Sequence, residues 1–171
     1  LVIWWELCEI ELANMRMHNT HVQNCGEAST LGLPVSKTDV QGTGVKRTLA
    51  CWCGTALKEE GMVISKWCPA CTLKTHYAAA LANHKVDPQD LAALDVPLLF
   101  KTEGGAWTKA EVIASWRKVE TARTRGALER ELITGHSGRR SGVHILARNG
   151  WARWQNQFMS RHGSAAMDGY I

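Results

Sequence analysis

Thr134-Gly-His-Ser-Gly-Arg-Arg-Ser-Gly-Val-His-Ile-Leu-Ala-Arg-Asn-Gly150 is the stretch on which the reading of this chain turns. It sets His136 three residues before Arg139 and continues as a helix of small and apolar residues, which Gly150 ends. A His-x-x-Arg spacing alone carries almost no information, so its surroundings decide. Upstream, Thr108 to Glu111 has the spacing of a capping box and opens a helix to about Arg123, with Val112, Trp116 and Val119 as its buried stripe. Downstream, residues 151–161 read as a further helix, packed through Trp151 and Trp154, and Ser164 can cap a last short helix bearing Tyr170.

The same region holds Arg117, Lys118, Arg123, Arg125, Arg130, Arg139, Arg140, Arg148, Arg153 and Arg161. Arginine outnumbers lysine there, and a guanidinium grips phosphate through two parallel donors. Solvated helix faces would account for the same residues equally well before the motifs are considered. The whole chain has 171 residues, a net charge of +4 and a pI near 8.8, which only weakly suggests a polyanionic partner. With 45% hydrophobic and 21% charged residues it can bury one substantial core. No stretch approaches the ~20 apolar residues of a membrane span, so no membrane partner is expected. The apolar opening Leu1-Val-Ile-Trp-Trp5 stops at Glu6 and lacks the flanks of a signal peptide. A start inside such a run, without Met, reads as a piece truncated at both ends.

Towards the amino end, residues 1–17 read as one helix with Ile3, Leu7, Ile10 and Met17 near helical spacing. Residues 30–35 alternate, with Leu31, Leu33 and Val35 on one face, and residues 46–53 form a second strand after a glycine-bearing turn. A short strand at 21–24 completes a three-stranded antiparallel sheet. Residues 72–84 form a helix, and residues 85–106, with Pro88, Pro97 and Gly104-Gly105, a short helix and a connection. The expected fold class is therefore mainly α with a small three-stranded antiparallel sheet, an α+β domain over 1–171. His144 reads as a packed or surface residue, His18, His21 and His84 as surface or loop, and the tryptophans as core.

Cys51-x-Cys53 and Cys68-x-x-Cys71 bring four thiolates within reach of one tetrahedral ion. Structural zinc pinning an insertion at about 51–76 is the metal-site expectation, with His76 as a spare ligand; free thiols at a strand end are the plainer alternative. Cys25 has no partner at useful spacing.

The His136 block followed by Ser160-Arg-His-Gly-Ser-Ala-Ala-Met-Asp-Gly-Tyr170-Ile resembles the tyrosine recombinases, or phage-type integrases, especially their eukaryotic retroelement and transposon branch. Those proteins carry a G-H-S-x-R-R-G-G-A block and, later, G-R-W/H-S-S ending in Y-I. Leu33-Pro-Val-Ser-Lys-Thr-Asp-Val-Gln-Gly-Thr-Gly44 is similar to the family's S-K-T-D-Q-x-G-x-G hairpin, and Leu7-Cys-Glu-Ile-Glu-Leu-Ala-Asn-Met-Arg16 to its first block, R-x-x-E-L-x-x-L. The likeness spans nearly the whole chain. Glu11 matches the glutamate, but Cys8 stands at the arginine position.

The resemblance implies the recombinase catalytic-domain fold and a DNA strand transferase acting in recombination and integration of a mobile element. Tyr170 would attack phosphorus and form a 3′-phosphotyrosyl link, which conserves the bond energy for rejoining. Arg139 would bind a non-bridging oxygen, His136 would assist the tyrosine proton, His162 would donate to the phosphate, and Lys37 would protonate the leaving 5′ oxygen. No catalytic cofactor is called for. Arg140, Lys46, Arg47 and Arg161 are candidate DNA-phosphate contacts beside the site residues. DNA and other protomers of an assembly on DNA are the implied partners, and a nuclear location follows from the branch alone. A thiol at position 8 cannot supply a fixed cationic fork, so impaired activity is expected unless a neighbour substitutes; Arg16, two turns on, is a poor replacement. The other reading is a decayed DNA-binding module keeping this fold. A zinc-dependent protein-interaction domain is a third.

Overall fold

The computed structural model describes residues 2–22, 28–33, 44–51, 53, 68–124 and 133–161. The elements are α1 (Val2–Trp5), α2 (Glu9–Asn14), β1 (Thr20–Val22), β2 (Ala28–Leu33), β3 (Val45–Ala50), α3 (Pro69–His84), α4 (Lys109–Thr124), α5 (Ser137–Arg148) and α6 (Arg153–Ser160). The class is α+β, as the sequence patterns predict. The chain divides into two compact units, Asn14–Ala106 and Val2–Ala13 with Trp107–Ile171.

In the first unit the sheet has the order β1-β2-β3 and is antiparallel throughout. Alternation sets its faces: Ser29, Leu31 and Leu33 are buried, and the Ser29 hydroxyl donates to the Ala70 carbonyl of α3 at 3.2 Å. On the other face Thr30 and Thr48 join hydroxyls across the strands at 2.7 Å. At Gly32 a Cβ would lie 2.8 Å from the Asn19 carbonyl oxygen, so glycine lets the 3-10 turn Met17–Asn19 rest against β2. The helix expected within 85–106 is a set of turns. Asp87 and Asp90 side chains accept amide protons from Gln89, Ala92 and Ala93, a local bonding that competes with helix propagation.

His76 on α3 is only partly exposed, its Nε2 lies 2.8 Å from the Leu98 carbonyl oxygen, and its ring stacks on Phe100 at 5.8 Å. Burial lowers its pKa from the ordinary 6.5, with the Leu98 contact opposing. A depressed histidine favours the neutral ring in the folded state. Its contribution is therefore present above pH 6.5 and is lost as pH falls through the folded-state value. Denaturation midpoints of this unit should fall on acidification below that point, and His76→Gln should flatten that part of the profile.

In the second unit the single helix expected over 1–17 is interrupted. Glu6 takes a left-handed backbone (φ +47°), and α2 then starts afresh. The cause is a cap: Glu11, at the third helical position, accepts the Cys8 N–H at 3.0 Å, while the Cys8 carbonyl accepts from Leu12. The capping box of α4 forms as read, with Thr108 N–H donating to Glu111 at 2.8 Å and Glu111 N–H to the Thr108 hydroxyl at 3.3 Å. Helix α5 buries Arg139, Gly142, Val143 and Leu146, a stripe at helical spacing, and Gly150 follows it at φ +84°.

Three packing expectations fail. His84, read as surface or loop, is the half-buried last residue of α3, with its Nε2 3.0 Å from the Pro97 carbonyl oxygen and its ring edge-on to Phe100 at 5.5 Å. Val119 is 67% exposed because it lines an open groove with Trp116 and Ile133, and the α5 side of that groove offers only Ser137, Gly138 and Ser141. Trp154 is 68% exposed because α6 buries its other face, Asn156, Met159 and Ser160. Trp5, by contrast, is fully buried.

Candidate active site and candidate metal centre

Glu11 organises the second unit. Its side chain is 2% exposed and meets two arginines from distant parts of the chain. Arg139 Nη2 donates to both carboxylate oxygens, at 2.8 and 2.7 Å, and Arg139 Nε donates to the Glu6 carbonyl at 2.8 Å. That carbonyl belongs to the residue whose left-handed turn separates α1 from α2. Arg161, the left-handed cap residue ending α6, forms an ion pair with the same carboxylate. Burial pushes the Arg161 guanidinium below its ordinary pKa, and the neighbouring Cys8 sulfur opposes the shift.

The glycine of the Thr-Gly-His stretch lies against the Glu9 side chain. A Cβ at Gly135 would lie 2.1 Å from the Glu9 carboxyl carbon. Glu9 is buried, donates its amide to the Gly135 carbonyl at 3.3 Å and pairs with Lys109 at 3.3 Å. The segment entering α5 thus meets the start of α2 at Glu9, whose carboxylate would have to shift to admit a Cβ at position 135. His136 is the half-buried N-cap residue of α5, one turn before Arg139.

The sequence-predicted residues separate into groups. Cys8, Arg139 and Arg161 gather at Glu11, with His136 opening the helix that bears Arg139. Arg140 is exposed. Lys46 and Arg47 lie on β3 in the first unit, Lys46 exposed and Arg47 buried on the covered face, in register with Leu31. Lys37, His162 and Tyr170, and the last short helix, lie outside the described residues. Sequence reasoning passes over Glu6, Glu9 and Lys109. Three glutamates at 6, 9 and 11, near an apolar stripe, are the available signal.

The first unit holds the cysteine cluster. Cys51 and Cys53 follow β3, Cys68 is the N-cap residue of α3, and Cys71 lies in its first turn. The sulfurs of Cys51 and Cys71 are 3.5 Å apart, those of Cys53 and Cys71 3.5 Å, and those of Cys68 and Cys51 3.7 Å. All four lie within 4.8 Å of one another. A tetrahedron of sulfurs about 2.3 Å from a zinc ion has edges of ~3.8 Å, so the spacing fits such an ion. The N-terminus of α3 adds a positive dipole end, which favours thiolate. Burial raises the thiol pKa values of Cys71 and Cys53, with the adjacent cysteines adding to the rise at Cys71. Four such groups could hold a metal ion. His76 stays outside the cluster, engaged with Leu98 and Phe100.

No protein-family model matches this chain, and a search of curated proteins found no match.

Proposed function

We propose that this chain is the catalytic domain of a tyrosine-recombinase-type DNA strand transferase. The observation supporting this most directly is the assembly around Glu11. Residues from three separated blocks, Cys8 with Glu11, Arg139 and Arg161, come together there, with two guanidiniums in one buried cluster. Cleaving a phosphodiester demands this kind of group, because the transition state gathers negative charge on the non-bridging oxygens.

In this reading the Tyr170 oxygen attacks phosphorus as the bond to the 5′ oxygen breaks. His136 assists removal of the phenolic proton, and Lys37 delivers a proton to the leaving oxygen. Arg139 and His162 stabilise the phosphate oxygens. Rejoining runs the same steps backwards. The protein acts on DNA with other protomers of its kind, in the nucleus, and the fold is that of the recombinase catalytic domain. The cysteine cluster holds a structural zinc ion that ties the end of β3 to the start of α3.

A nicked suicide substrate tests the proposal. The chain should form an SDS-stable adduct with the DNA, and Tyr170→Phe should abolish it. Cys8 at the arginine position favours the second reading, a module that binds DNA without cutting it. Salt-sensitive DNA binding with no adduct from the unaltered chain would establish that reading instead.

A further inference from the structure

Two cations meet one carboxylate at Glu11, and one of them is incompletely bonded. The Arg161 side chain is 11% exposed, yet its Nη1 is buried with no hydrogen-bond partner among the described residues. A buried guanidinium N–H without an acceptor is costly, and such a donor calls for a ligand that supplies one. The nearby residue at position 8 is small, and its backbone N–H is tied to Glu11. The Arg161 guanidinium lies near the Cys8 sulfur and pairs with the carboxylate that caps the Cys8 amide. The planar guanidinium, with a spare N–H edge, matches the oxygens of a phosphodiester.

We infer that Arg161 is the second phosphate-binding guanidinium of this site, beside Arg139, supplying from the end of α6 the cation that Cys8 cannot. This rests on the strand-transferase reading for its substrate, a DNA phosphodiester. Glu11 is the positioning residue for both arginines.

Reciprocal rescue tests it. In a Tyr170→Phe chain, binding to a nicked duplex is measured against salt concentration. Arg161→Gln should reduce the log–log salt slope by about 0.9, the value for one lost phosphate contact, and adding Cys8→Arg should restore it. With Tyr170 present, adduct formation should fall about 100- to 1000-fold in Arg161→Gln and recover in the double variant. A role confined to stability would lower the melting temperature and leave the slope of the folded protein unchanged, which overturns the inference. Failure of Cys8→Arg to restore the slope also overturns it. If Arg161→Gln does not fold, Arg161→Lys keeps the charge but loses the planar fork. It should hold the slope and still slow adduct formation at least about tenfold; unchanged adduct formation refutes the role. A slope that responds to Arg161 in a chain that never forms an adduct would keep the phosphate site and sink the transferase. Normal adduct formation in Arg161→Gln would do the reverse.

Discussion

Glu11→Ala should destabilise the second unit more than any other single substitution among its described residues. Removing the carboxylate leaves Arg139 and Arg161 buried together without their counter-ion, and it strips the cap from the Cys8 amide. Breaking a buried pair from one side typically costs about 3–5 kcal/mol, because the surviving charge stays desolvated. Here two charges survive and repel. Domains are stable by only about 5–15 kcal/mol, so a large share of the folding free energy is at stake. Glu11→Gln keeps the size and one acceptor and should fall between the two. The Glu120–Arg123 pair on α4 supplies the control at its largely exposed end: Arg123→Ala should leave the denaturation curve nearly where it was. Urea or thermal denaturation followed by circular dichroism makes the comparison. A Glu11→Ala chain as stable as the unaltered one would show that the arginines do not depend on this carboxylate.

Metal removal should have the second large effect, in the first unit. Structural zinc sites contribute about 10–16 kcal/mol of apparent binding free energy in small domains, and that binding energy is folding energy. The prediction is a single zinc ion per chain by elemental analysis. Four thiols should be protected from a chromogenic disulfide reagent and released together by a strong chelator. Chelation, or Cys71→Ser, should lower the melting temperature by more than about 10 °C, since about 1 kcal/mol moves a domain of this size by ~2–8 °C. Cys25→Ser should leave metal content intact. Equal thiol reactivity before and after chelation, with no zinc in the protein, would reduce the cluster to packed thiols.

Much of the fold is legible from local patterns. Strand alternation places Leu31 and Leu33 on the buried face, and Thr108 with Glu111 marks the start of α4, because both signals act within a few residues. The cysteine pairs are legible for the same reason: two short spacings predict convergence, and the sulfurs do converge. The amino-terminal helix misleads because its apolar spacing is continuous, whereas its interruption depends on Glu11 folding back on the Cys8 amide. Val119 and Trp154 read as interior because an apolar stripe says which side chains would gain from burial. It does not say whether a neighbouring element is present to cover them.

What the amino-acid sequence determined unaided was the α+β class, the antiparallel sheet, most helix boundaries and the pairing of cysteines, all products of near-neighbour stereochemistry and hydrophobic period. What only the tertiary structure decided was the partnership at Glu11. Arg139 and Arg161 are separated from it by most of the chain, and burying a charged side chain is costly unless an opposite charge lies beside it. That condition is met in three dimensions, and no spacing along the chain expresses it.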